Sequence, residues 1–285
     1  DNGANPDGEA REGLKPLHEA ARKNHPDVVK VLLAAGVSPF TPKTRDAPGR
    51  RCGNAPTSVG HTPLMYACDN GHTKVVAEFL QYLTDPAAIT QALFWSAGSG
   101  RAACVDLILQ HATVDVNAKY RDETLLFRAC YRGDMNTVKI VVKAGADPNI
   151  FCSYPYEEFG GINSNRHRMR LSSDHQDESR GYTALHALLG LTSRRSRGEF
   201  PAECVSVLLQ AGADIHLKCP DGQTALHLAS DVDVIKILLE AGADPYARTD
   251  SGDTILHTDG STDKELLPTL IESGLVDVNK IVVES

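Results

Sequence analysis

A motif recurs along this chain in a fixed internal order, and that recurrence leaves few architectures open. It reads Gly222-Gln-Thr-Ala-Leu-His-Leu-Ala229 and then Val234-Ile-Lys-Ile-Leu-Leu-Glu-Ala-Gly-Ala-Asp-Pro245. The same order returns at Gly181-Tyr-Thr-Ala-Leu-His186 with Cys204-Val-Ser-Val-Leu-Leu-Gln-Ala-Gly-Ala-Asp214. Such a pattern describes small supersecondary units that cannot bury their own apolar faces and share a core by stacking on their neighbours. Each unit reads as a short helix, a turn, a second helix and an extended return. Thr224 can cap the first helix by accepting one of its orphaned backbone N–H groups. At Lys15-Pro16 and Thr62-Pro63 a proline follows the cap position, where its fixed φ suits the first helical turn. The second helix is apolar at helical spacing, through Val28, Val29, Val31, Leu32 and Leu33, and again through Val138, Ile140, Val141 and Val142. It stops at Gly36, Gly145, Gly212 or Gly242, where a left-handed residue costs little. Asp-Pro or Asp-x-Asn then opens a turn.

The order Gly-x-Thr-Pro-Leu-His, Val-Val-x-x-Leu-Leu, Gly-Ala-Asp resembles the ankyrin repeat, whose period is about 33 residues. With the Thr position as register, Lys15, Thr62, Gln91, Thr124, Thr183, Thr224 and Thr254 mark seven units. They span about 11–40, 58–84, 87–119, 120–150, 179–219, 220–249 and 250–282 of a single domain, 1–285. The third and seventh depart most, with Gln91-Ala-Leu-Phe94 replacing the helix-opening tetrad in the third and a short polar connection in the seventh. Excess spacing locates insertions at 41–59, 151–180 and 192–200. The fold this resemblance implies is all-α: a solenoid of stacked helix pairs with short β-hairpin fingers.

Composition narrows the function classes. No apolar run approaches the roughly 18 to 20 residues that span a bilayer. A formal net charge of −8 weighs against a general affinity for nucleic acid or anionic membranes. Of seven cysteines, Cys68, Cys104, Cys130 and Cys204 fall at small or apolar helical positions and read as buried thiols in a reducing compartment. Cys52, Cys152 and Cys219 fall in loops. A cytoplasmic or nuclear location follows, and a start at Asp1 without Met suggests part of a larger multidomain protein. No spacing suits a metal, a cofactor or a catalytic set, and His167 and His175, in the long insertion beside Cys152, match no motif. By the resemblance, His18, His186, His227 and His257 make structural hydrogen bonds. Met65, Phe94 and Phe127 replace them in the middle units, which predicts a more apolar seam there.

The family's binding face comes from residues four, three and one before the Thr position and seven and eight after it. Carried over, these are Ser58, Val59 and His61 with Asp69 and Asn70 in the second unit, and Gly98 and Ser99 in the third. In the fourth they are Tyr120, Arg121 and Glu123 with Tyr131 and Arg132. Trp95, the single tryptophan, reads first as core and second as a partner anchor. Asp69, Asn70, Trp95, Tyr120, Arg121, Tyr131 and Arg132 form the expected partner-binding set. Tyr and Arg are the residue types that dominate interface energies. Lys43, Arg45, Arg50, Arg51, Arg166, Arg168 and Arg170 add basic charge in the flanking insertions, either as contacts or as solvated charge. The expected function is a non-catalytic scaffold that binds an acidic or phosphorylated peptide or partner surface in a groove over units two to four. The alternative is a module for an anionic small ligand such as a nucleotide.

Overall fold

The computed structural model describes residues 8, 14–42, 61–83, 85–111, 114–152, 181–192 and 200–255. Most of the three insertions and nearly all of the seventh unit lie outside these residues. So do Cys52, Ser58, Val59, His167, His175 and His257. The described helices come in pairs: α1 (Pro16–Arg22) and α2 (Pro26–Ala34), α3 (Pro63–Asn70) and α4 (Thr73–Leu80), α5 (Pro86–Gly98) and α6 (Ala102–His111). They continue with α7 (Leu125–Arg132) and α8 (Met135–Lys143), α9 (Ala184–Thr192) and α10 (Phe200–Gln210), α11 (Ala225–Leu228) and α12 (Val232–Glu240). The chain divides into two compact units, Asp1–Tyr120 with Pro155–Leu171, and Arg121–Tyr154 with Ser172–Ser285.

In the first unit α1 packs on α3 and α3 on α5, while α2 packs on α4 and α4 on α6. In the second, α7 packs on α9 and α9 on α11, while α8 packs on α10 and α10 on α12. First helices therefore form one row and second helices another within each unit. Among the described residues the leucine two places after the register position is buried in all six units: Leu17, Leu64, Leu93, Leu126, Leu185 and Leu226. Burying such a side chain contributes roughly 1.5–3 kcal/mol, so this one repeated residue is a main tie along each row.

Local chemistry sets the helix boundaries. The hydroxyls of Thr62 and Thr124 accept the N–H of Met65 and Phe127 at 3.3 and 3.2 Å, capping α3 and α7. Asp134 and Asp231 cap α8 and α12 in the same way. Four of the six described second helices end at a glycine, Gly36, Gly145, Gly212 or Gly242, all with positive φ, which an L side chain there would resist. Two residues on, the Asp of Gly-Ala-Asp folds back. Asp147, Asp214 and Asp244 accept the N–H of Asn149, His216 and Tyr246 at 2.9, 2.8 and 2.9 Å, and Asp115 accepts that of Asn117 at 2.9 Å. Asn149 also binds the next repeat, donating to the Gly212 carbonyl and accepting from the Asp214 amide.

The histidines tie each helix start to the following return segment. Nδ1 of His18, His186 and His227 accepts the amide of Lys15, Thr183 and Thr224 at 3.1–3.2 Å. Nε2 of the same rings reaches the carbonyls of His61, Leu217 and Asp253 at 3.2, 3.1 and 3.3 Å. An amide can only donate and a carbonyl only accept, so these partners fix the neutral, Nε2-protonated tautomer. Burial lowers the His186 pKa to about 4, against its bonds to backbone carbonyls, and lowers that of His227. Met65, Phe94 and Phe127 are buried in the equivalent place, as an apolar seam requires.

Among the described residues the return segments close through single backbone pairings. Cys152 and Tyr182 exchange two backbone hydrogen bonds as an isolated antiparallel bridge, and Cys219 donates to the Gln223 carbonyl at 2.9 Å. The next helix begins within a residue or two of these bonds, leaving no length for a ladder. Cys152 and Cys219 do lie outside helices, yet both are buried. Cys152 is enclosed because its sulfur accepts the N–H of Thr124, the cap of α7, at 3.3 Å.

Candidate functional site

The expected binding residues divide between the two units. In the first, Asp69 and Asn70 end α3. The Asp69 carboxylate accepts the Ser99 hydroxyl, and its carbonyl accepts Arg101 Nε at 2.9 Å. Asn70 is exposed and donates to the Tyr66 carbonyl at 2.7 Å. Trp95 is half-buried, its ring edge-on to His61 with centroids 4.5 Å apart. The Tyr120 hydroxyl accepts from Gln91 Nε2 at 3.1 Å, and its ring leans on Phe94 at 5.3 Å. Tyr120 also lines a cleft of about 320 Å³ with Phe40, Met65, Asp85 and Gln91. That cleft has a carboxylate and no basic side chain in its lining, so it does not suit an anion.

In the second unit Arg121 is exposed, with φ 52°, and Asp122 follows with φ 64°. Two consecutive left-handed residues are the signature of the tightest hairpin turn, so the Arg121 side chain stands at a sharply turned tip. Tyr131 and Arg132 are half-buried in the last turn of α7. The eight residues of α7 cover roughly 12 Å, so Arg121 and Arg132 sit at opposite ends of that helix.

His61 and Glu123, assigned to the open face on sequence, are both buried. Each occupies the place just before the cap, where the side chain turns toward the residue four positions after the cap. His61 meets Tyr66 edge-on at 5.5 Å. Glu123 meets Arg128 in an ion pair of 2.7 Å whose side chains are only 5% and 6% exposed. Burial pushes the Glu123 carboxyl up to about 7, with Arg128 pulling the other way. Arg128 escaped notice because a charged residue five places after another reads as a helix surface. The available signal was its register: Tyr66 and Trp95 stand at the same position of their units. Among the described residues no helix is long and apolar enough to cross a membrane, and no cluster of three or more His, Cys, Asp or Glu could hold a metal.

Comparison with known proteins agrees with this geometry. The family model for ankyrin repeats matches residues 2–90, 84–152, 163–249 and 195–280. Dynein axonemal heavy chain 12 of Bos taurus is 32% identical over 161 residues, 52% of this chain and 41% of that protein. Ankyrin repeat and SOCS box protein 14 of Mus musculus is 34% identical over 110 residues, 34% of this chain and 18% of that protein. The E3 ubiquitin-protein ligase XBAT33 of Arabidopsis thaliana is 29% identical over 140 residues, 47% of this chain and 25% of that protein. The chain thus aligns with less than half the length of each of these relatives. Among solved structures, the human ASB11 ankyrin repeat domain superposes with a TM-score of 0.62 at 21% identity, covering 90% of this chain and 97% of that one. The ankyrin repeat domain of Bcl-3 gives 0.61 at 20% identity, covering 90% and 100%. The family model covers well over half of the sequence, the helices pair as its units demand, and the chain belongs to the ankyrin-repeat family.

Proposed function

We propose that this chain is a protein-interaction module whose second unit holds an acidic or phosphorylated segment of a partner with Arg121, Tyr131 and Arg132. Ankyrin repeats are interaction modules as a family, and rigid stacked pairs lose little entropy on binding. The observation that carries the finer reading is the placement of Arg121 at a tight turn tip with Tyr131 and Arg132 at the far end of α7. Roughly 12 Å of helix backbone lies between the two positions, on the scale of acidic residues about four apart in an extended peptide at 3.3 Å per residue. Each contact is a charge-assisted hydrogen bond of the strong, forked kind. The relatives' greater length fits a module that recruits a partner to the rest of a larger protein.

The test is an array of twelve-residue peptides in three versions: two glutamates four apart, two phosphoserines four apart, and neutral serines. The charged versions are expected to bind, and the double variant Arg121→Glu/Arg132→Glu to lose at least tenfold in affinity. Binding that ignores peptide charge, or that survives the reversal, excludes this placement. Nucleotides added in a thermal-shift assay check the small-ligand alternative, which the acidic lining of the described cleft does not favour.

A further inference from the structure

We infer that the outer face of α1 and α2 is a docking surface for one more helix pair of the same repeat, supplied by polypeptide on the N-terminal side of Asp1. The evidence starts with the exposure of one stripe. Counting back from the closing glycine, the residues eight and four before it are Cys204 and Leu208 in α10, and Val234 and Leu238 in α12. All four are fully buried, and α10 and α12 pack on the preceding second helices α8 and α10. Val75 and Phe79 hold the same places in α4 and are fully buried too. In α2 they are Val28 and Leu32, and there Val28 is 48% exposed and Leu32 only half-buried. Val31, between them, is 68% exposed, whereas its counterparts Ile140, Val207 and Ile237 are half-buried.

The cause is directional. α2 has α4 on its following side, as α10 has α12, so the cover it lacks is the one a preceding second helix provides. A unit that truly ended the stack would present a polar outer face, and this one presents valines.

A separate observation in the sequence says what belongs there. Gly3-Ala4-Asn5-Pro6 precedes Lys15 by the same twelve residues that separate Gly212-Ala213-Asp214 from Thr224 and Gly242-Ala243-Asp244-Pro245 from Thr254. Residues 3–6 thus carry the closing signature of a second helix, in register, ahead of the first recognised unit. Residues 1–13 offer only Ala4, Pro6 and Ala10 as apolar side chains, too little to cover Val28 and Val31 themselves. The occupant is a preceding helix pair whose exit is residues 3–6.

Hydrogen exchange of α2 tests this, in residues 1–285 and in the natural polypeptide extended by about 33 residues before Asp1. The α2 amides are expected to exchange at least tenfold more slowly in the longer chain. Val28→Glu/Val31→Glu should return them to the faster rate there and leave the circular dichroism and exchange of residues 1–285 unchanged. Equal α2 rates in the two lengths would overturn the inference. So would α2 protection in residues 1–285 that rises with protein concentration, because a second copy would then be the occupant.

Discussion

In α1, α9 and α11 the third helical residue is a histidine; in α3 and α7 a methionine and a phenylalanine stand there. The histidines make one bond inward, to their own cap amide, and one outward, to a carbonyl of the next return segment. Met65 makes only the inward contact, its sulfur 3.3 Å from the Thr62 amide. Phe127 can make neither, and the amide it leaves behind, that of Thr124, is taken by the Cys152 sulfur. One buried backbone donor is thus satisfied three ways: by an imidazole, a thioether and a thiol from 28 residues away. The requirement belongs to the backbone, since a buried N–H must find a partner. The imidazole and the thiol meet that requirement and also tie the helix start to the following return segment; the thioether meets it alone.

The largest effect should come from removing the two-sided link while keeping its volume. His186→Phe makes α9 resemble α7 without a Cys152 to help, leaving the Thr183 amide and the Leu217 carbonyl buried and unpaired. At about 1–3 kcal/mol for each orphaned group, the loss should be about 4 kcal/mol, read as a lower urea midpoint. A loss below about 1 kcal/mol would mean that the imidazole is filler, equivalent to Phe127.

Acid should reproduce part of that loss. His186 titrates near 6.5 when unfolded and near 4 when folded, because burial opposes the charged ring. Below pH 6.5 the unfolded chain then takes up a proton that the folded chain refuses. Stability from this group is complete above about 6.5 and falls as pH drops toward 4, by up to about 3 kcal/mol. His227, also lowered, adds in the same direction. Glu123 has the opposite sign: its raised carboxyl favours the folded state at low pH, and that benefit fades as pH rises through about 7. Because the His186 and Glu123 contributions run in opposite directions across the same window, the test is a difference: between pH 4 and 6.5 the wild-type urea midpoint should rise more with pH than that of His186→Phe. An unchanged slope would separate acid sensitivity from the histidine links.

What the sequence discloses and what it hides divide along the same line. The histidine roles, the glycine stops and the Gly-Ala-Asp turns recur at fixed register, so one explanation covers every copy. The register fixes where a return segment lies and not how many backbone pairings it has room for. Arg128 and Cys152 were opaque for a different reason. Each matters through a contact that the repeat signature does not encode: an ion pair across a helix start, and a thiol brought back from the edge of an insertion. Among the binding residues, the register placed Arg121, Tyr131 and Arg132 at solvent-accessible positions, but it also assigned His61 and Glu123 to the surface. The place before the cap is set by its partner five residues after it, Tyr66 or Arg128, and neither partner is part of the family signature.

The smallest effect is the most specific to α7. Cys152→Ala removes the acceptor for the Thr124 amide and a modest apolar volume, which should cost about 1–2 kcal/mol. Cys152→Ser keeps an acceptor in the same place, since a hydroxyl oxygen takes an N–H at least as well as a thiol does. It should recover most of that loss, and the urea midpoints of the two variants should differ accordingly. If serine and alanine lose the same amount, the sulfur is serving as a small hydrophobe, and the thiol is no substitute for the imidazole. If serine alone is tolerated, the buried amide governs what can stand at residue 152. The choice of phenylalanine at 127 then depends on a residue that enters the fold only after the whole of α8 has passed.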